Sequence, residues 1–372
     1  MSVFDKGGNA FNFVRLLAAV VVVYSHSYAI APVPGSAELV ARLTGVTHAG
    51  ELSVAVFFFL SGALITKSLV SGGGLLEYAA KRILRIYPAL IVCCFLSAFV
   101  FSSIFGGASF SHLVETGAAW KYFINNSISI WNEHFIPGVY ESHPEHGLNG
   151  SLWSVTLEVR LYLFLALLYM VGGIKGVVGR PLALLGTVVA IGVDPHLVPL
   201  IGNDPASFGN YAFPVFSAIF LLGGVFYLLE KEFSIGLGSV IVFALAVVVL
   251  KGSGFYKGAV FSLVIVLSIW GATRKLVVDK FRLENDYSYG VYLYGWPALQ
   301  IAYTILVSVT PPKPWLVSLI AVPLALGFAA LSWHCIERPC LQFAHGRLKN
   351  TKKLARTYMR IAWYAVRHAW AG

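Results

Sequence analysis

Phe11-Asn12-Phe13-Val14-Arg15-Leu16-Leu17-Ala18-Ala19-Val20-Val21-Val22-Val23-Tyr24-Ser25-His26-Ser27-Tyr28-Ala29-Ile30 is the stretch on which the fold turns. At 1.5 Å per residue, some twenty residues of this composition cross the roughly 30 Å hydrocarbon core of a bilayer as one helix. Two ionisable side chains interrupt it, Arg15 and His26. Eleven steps of about 100° return almost to the starting direction, so both share one helix face, about 16 Å apart along the axis. A charge inside a span costs about 2.5–3.5 kcal/mol on insertion scales and normally faces a bundle interior or a wet cavity. That face is the first candidate for function.

The rest of the chain repeats the pattern. Hydrophobic residues make up 58% of the 372 and charged ones 12%, far from the balance of a soluble domain. Further apolar runs fall at about 51–71, 86–105, 151–172, 181–200, 211–229, 235–251, 257–273, 287–308 and 314–335. The expected architecture is all-α, a polytopic membrane protein of about ten transmembrane helices. With the N-terminus inside, twenty Lys and Arg fall on the inner segments and only five on the outer loops, which places both termini in the cytoplasm. The net charge of +10 then reflects topology and attraction to anionic lipid, and no nucleic-acid partner is expected. Arg15 interrupts the first run and no small-residue cleavage site follows it, so it reads as a retained span.

One membrane domain is expected over 8–345, followed by a basic, aromatic tail over 346–372 suited to an amphipathic helix on the inner surface. The four cysteines form no disulfide framework, since Cys93 and Cys94 are adjacent within a span. The longest outer loop, 106–150, carries four acids, four histidines and exposed-type aromatics such as Trp120 and Trp131. Such a loop suits a sugar, although for any single residue a solvated interfacial loop is the better explanation. His143 and His146 have metal-ligand spacing but lack a clear third ligand, and no metal is expected.

The fourth run opens at Leu148-Asn149-Gly150-Ser151-Leu152-Trp153 and carries Glu158. Counted at 1.5 Å per residue from the outer boundary, Glu158 lies about 10 Å deep and His26 about 8 Å deep. Matching depth predicts a pair, with His26 as general base and Glu158 fixing its tautomer. A buried pair that merely locks two helices is the competing explanation. Near the inner end, Arg82 and Arg85 stand one turn apart, and with Arg15 they suit the phosphates of a cytosolic nucleotide-bearing donor. Basic residues at an inner membrane edge are also expected on topology alone. Ser61, in Phe58-Phe59-Leu60-Ser61-Gly62, reads first as a close helix contact that shapes a donor tunnel.

Taken in order, these landmarks resemble the acyltransferase-3 family of integral-membrane acyltransferases. The resemblance rests on Arg15 with His26, Phe58 to Gly62, Arg82 and Arg85 with Pro88, Leu152-Trp153-Ser154 with Glu158 and Tyr162, Tyr287-Ser288-Tyr289 to Pro297, and Glu337 with Pro339. It implies a bacterial inner-membrane O-acyltransferase, most simply an O-acetyltransferase. The donor would be cytosolic acyl-CoA and the acceptor a hydroxyl of an exported carbohydrate such as O-antigen, capsule or exopolysaccharide. His26 and Glu158 would be catalytic, Arg15, Arg82, Arg85 and Ser61 would hold the donor, and Trp153 would meet the acceptor. Two positions depart from the pattern: Asn12 replaces an acid that would pair with Arg15, and Tyr294-Gly295 replaces Trp-His in the ninth run. The competing function is a glycan transporter or flippase that uses the same Arg, His and Glu as a substrate and proton path.

Overall fold

A computed structural model describes residues 3–343 except 5–6, 72–73, 130, 173–178, 203–210 and 233. The basic tail over 346–372 lies outside the described residues. Among the described residues the chain is helical, with no strand. In order the helices are α1 (Phe11–Ile30), α2 (Leu39–Thr44), α3 (Ala49–Val70), α4 (Gly74–Phe95), α5 (Ser102–Phe105), α6 (Phe110–Glu115), α7 (Ala118–Ile128) and α8 (Leu152–Met170). They continue with α9 (Gly179–Val193), α10 (Pro199–Gly202), α11 (Ala212–Leu228), α12 (Leu237–Val249), α13 (Tyr256–Ala272), α14 (Lys275–Phe281), α15 (Ser288–Val307) and α16 (Pro314–Ser332). π-Helical turns at Leu96–Phe101 and Trp333–Glu337 extend α4 and α16.

Each of the ten apolar runs falls on a helix. Among the described residues, five helices are long and apolar enough to cross a membrane, or six if the bent pair α13 and α14 counts as one span; α9, α11 and α12 are apolar but shorter. The third run begins earlier than its apolar core indicates. Gly74 starts the helix because Glu77 and Lys81 pair across one turn at 2.8 Å and Arg85 finds partners inside the bundle, so the charged segment propagates the helix instead of ending it.

Below, "upper" denotes the His26 end of α1 and "lower" its Arg15 end. α3 runs antiparallel to α1, tied at the top by Ser25 Oγ to His48 Nδ1 at 3.0 Å and at the bottom by Lys67 Nζ donating to the Phe4 carbonyl at 2.9 Å. α15 runs parallel to α1 at the centre of the bundle, and every residue from Ser288 to Tyr303 is buried. α12, by contrast, packs along α13 and has no buried residue.

The tightest contact joins α3 and α11. A Cβ on Gly62 would sit 1.8 Å from the Phe220 carbonyl oxygen, and one on Gly223 would sit 2.1 Å from that of Phe59. These glycines let two apolar backbones touch, the usual means of helix association where burial from water contributes little. Gly62→Ala is therefore expected to cost at least the 1–3 kcal/mol typical of overpacking, because the clash is with backbone. The check is the thermal midpoint in detergent, and an unchanged midpoint would mean the two helices ride farther apart.

The 106–150 segment is more than a surface loop. Trp120 packs at a tilt against Phe99 at 4.8 Å, Phe123 meets Phe95 at 6.0 Å, and Tyr87 Oη donates to the Ile128 carbonyl at 3.2 Å. α7 thus descends beside α4, turns at Ser129 (φ 57°), and is held against α8 by Ser129 Oγ and Asn132 Oδ1 at Thr156. Trp120, Ile124 and Ile128, four apart, point outward on one face. With only eleven residues, three of them Asn125, Asn126 and Ser127, α7 was invisible to a search for membrane-length runs.

Candidate active site

α15 supplies a ladder from the lower end upward. Asp286, in the turn before it, and Tyr289, Tyr292 and Trp296 recur every three or four residues and so share a face. At the lowest rung, Arg15 Nη1 donates to Asp286 Oδ2 at 2.6 Å and Arg85 Nη2 donates to the same oxygen at 2.7 Å. Arg85 Nη1 reaches Glu337 Oε2 at 2.5 Å. Glu337 is 1% exposed; the π-helical turn at Trp333–Glu337 brings it inward, where Ser332 Oγ also donates to it at 3.0 Å. The Arg85 guanidinium lies over the rings of Tyr289 and Trp333. Burial pushes the Asp286 carboxyl up, but the Arg15 and Arg85 charges and two hydrogen bonds from Ser288 outweigh it and hold it down to about 2. Its contribution to stability is complete above about pH 4, the ordinary carboxylate range, and is lost only as pH falls through about 2.

Above this cluster lies a narrow cavity of about 50 Å³ lined by Arg15, Phe57, Ser61, Ser154, Glu158, Tyr289 and Tyr292, among others. Glu158 Oε1 accepts from Ser61 Oγ at 2.5 Å and from the Tyr162 hydroxyl. Its Oε2 has no partner among the described residues. Beside it, the Arg82 guanidinium covers the Tyr162 ring at 5.9 Å, with Nε buried and without a hydrogen-bond partner among the described residues.

A second, wider cavity of about 610 Å³ opens at the upper end, with His26, His48, Glu51, Glu145, Trp153 and Trp296 in its wall. The His26 ring stands edge-on to Trp296 at 4.9 Å. Trp296 is held by its Nε1 donating to the Gly147 carbonyl at 2.8 Å and lies flat on Gly150, where a Cβ would come within 2.6 Å of the ring. Pro297 denies the Leu293 carbonyl its helical partner, and Asn149 Nδ2 at 2.8 Å and Cys93 Sγ at 3.4 Å replace it. The opening residues of the fourth run are thereby built into the core. The two cavities share two lining residues among those described, Val54 and Tyr292.

The expected hydrogen bond between His26 and Glu158 is not formed; Glu158 pairs with Ser61 and Tyr162. The depth estimate failed because it put the start of the fourth run at the surface. Gly150 is already sunk to the level of Trp296 and His26, and the eight residues to Glu158 add about 12 Å. α3 gives the same answer. Gly50 touches Ser25, and Ser61 lies eleven residues, or about 16 Å, further down. The structure therefore puts His26 in the upper cavity and Glu158 in the lower.

The sequence profile of the acyltransferase-3 family, described as "Acyltransferase domain", matches residues 9–334. The chain belongs to the acyltransferase-3 family. It is similar to an O-acetyl transferase of Shigella phage Sf6, 28% identical over 348 residues that cover 89% of this chain and 95% of that protein. It is also similar to Nodulation protein 10 of Rhizobium leguminosarum bv. viciae, 29% identical over 170 residues, 43% of this chain and 44% of that one. No solved structure matches. The protein is an enzyme that transfers acyl groups.

Within this acyltransferase, Arg15, Ser61 and Glu158 line the lower cavity, and His26 and Trp153 line the upper. Asp286 escaped the sequence reading because it lies outside the apolar run; it supplies the acid missing at Asn12. Glu337 stood among the landmarks of the resemblance, as a lone acid at the end of an apolar run, but was given no partner and no role. His143 is held by Gln300 at 2.7 Å and Thr304 at 3.1 Å, and burial pulls its imidazole down, outweighing the Gln300 bond. No group of three metal-type ligands occurs among the described residues.

Proposed function

We propose that this acyltransferase moves an acyl group, acetyl in the simplest case, from cytosolic acyl-CoA to a hydroxyl of an exported carbohydrate, in a bacterial inner membrane crossed ten times with both termini inside. One observation carries the reading. Two cavities, one narrow with Arg15 and Glu158 in its wall and one wide and aromatic, meet back to back at Val54 and Tyr292.

The lower cavity faces the cytosol and takes the donor. Of the three arginines, Arg15 and Arg85 already share Asp286 and Glu337, so Arg82 offers its charge to the CoA phosphates most freely. The free Oε2 of Glu158 accepts an amide N–H of the pantetheine arm, and Ser61 and Tyr162 fix that carboxylate. The acceptor sugar enters above and stacks on Trp153 and Trp296. His26, with no hydrogen bond to another described side chain and a face open to the cavity, removes the hydroxyl proton. The alkoxide forms the C–O bond, the C–S bond breaks, and the departing CoA sulfur takes the proton back from His26.

The test uses full-length protein in detergent with labelled acetyl-CoA and candidate oligosaccharides, following thiol release and label on the glycan together. Coupled appearance of both is expected. Glycan flux in vesicles with no thiol release from any acyl-CoA would favour a transporter and end the proposal.

A further inference from the structure

We propose that Tyr292 is a catalytic residue whose hydroxyl donates to the thioester oxygen as negative charge develops there. This rests on the donor and acceptor sides assigned above and goes beyond them. A carbonyl carbon attacked from one cavity while bound from the other has to sit where the cavities meet. Among the described residues, only Val54 and Tyr292 line both, and of these only Tyr292 carries a polar group.

Its position on the ladder agrees. Tyr292 is one turn below Trp296, which touches His26, and one turn above Tyr289, which lines the donor cavity. The ring is 8% exposed and braced edge-on by Phe57 at 5.7 Å. Ser154 lies 2.6 Å from the phenol oxygen. Because the one Ser154 proton is donated to the Ser151 carbonyl at 3.0 Å, the phenol is the donor to Ser154. At rest that proton is therefore held by Ser154, a residue of the donor-side cavity. When the thioester arrives, the phenol turns its proton to the carbonyl oxygen, and Ser154 can leave Ser151 and donate to the phenol oxygen, strengthening it as a donor. The balance is that of the transfer itself: the alkoxide pair forms C–O, the carbonyl π pair moves to the oxygen held by Tyr292, then returns as C–S breaks. The phenol proton is lent and kept.

The decisive variant is Tyr292→Phe, which removes one oxygen and keeps the ring that separates the cavities. With labelled acetyl-CoA and a mixture of neutral oligosaccharides, kcat is expected to fall about 10²- to 10³-fold, the loss typical of one oxyanion donor. The KM for acetyl-CoA and the Kd for its non-transferable thioether analogue should stay within twofold. Ser154→Ala should slow transfer less, since the phenol keeps its proton. Leu245→Ala, on the exposed face of α12, serves as the surface control. A Tyr292→Phe enzyme with full kcat overturns this assignment alone, and so does a loss that appears entirely as weaker analogue binding. No transfer by the unaltered chain overturns the assignment together with the reading beneath it.

Discussion

His26→Ala is expected to lower acyl transfer by about 10²- to 10⁴-fold, the range a positioned general base supplies, with the protein still folded. Folding should survive because His26 is only half-buried, lines a cavity wall and makes no hydrogen bond to another described side chain. Its ring neighbour among the described residues, Trp296, is held independently by Gly147 and Gly150. The measurement is label transferred from acetyl-CoA to glycan, beside a melting curve of the same preparation. The lower cavity is untouched, so donor affinity should not change. Full transfer by His26→Ala would remove the proton acceptor from the proposed mechanism.

Arg85→Ala should act on the fold before it acts on the donor. Removing Arg85 leaves Glu337, 1% exposed, with Ser332 as its remaining described hydrogen-bond partner; Asp286 would keep Arg15. Breaking a buried pair by deleting one partner typically costs about 3–5 kcal/mol, because a charge is stranded away from water. The expected result is a large fall in thermal midpoint, rescued in part by the double variant Arg85→Ala with Glu337→Gln, which removes the stranded charge. If Arg85 served chiefly as a phosphate ligand, the single variant would melt normally and show only a raised KM for acyl-CoA. The two outcomes are separable in one preparation, by melting and by kinetics.

Much of the helical scaffold was legible because a bilayer demands long apolar runs and the chain supplies them. The Arg15 and His26 spacing was equally legible, since helical periodicity alone sets it. What periodicity does not convey is how deep a helix begins. The Leu148 to Ser151 segment looks like a polar loop, yet Asn149 is drawn inward to satisfy the carbonyl that Pro297 leaves open, and that displacement separated Glu158 from His26. The same limit hid α7, whose polar turn is tied to Thr156 on α8. The ion pairs of Asp286 and Glu337 were missed for a different reason: their partners lie more than two hundred positions away, and no local pattern encodes such pairing.

That separation governs how the protein is made. Arg15 and Arg85 are synthesised first, whereas Asp286 and Glu337 follow 271 and 252 positions behind them. At common rates of translation the wait is on the order of tens of seconds, during which two guanidiniums must be lodged at a membrane edge without their counter-ions. Nascent chains halted before residue 286 are thus left with cations they cannot neutralise, and these would be natural substrates for quality-control proteolysis. Release of α15 and then α16 from the insertion machinery is what first neutralises Arg15 on α1 and then completes the pairing of Arg85 on α4.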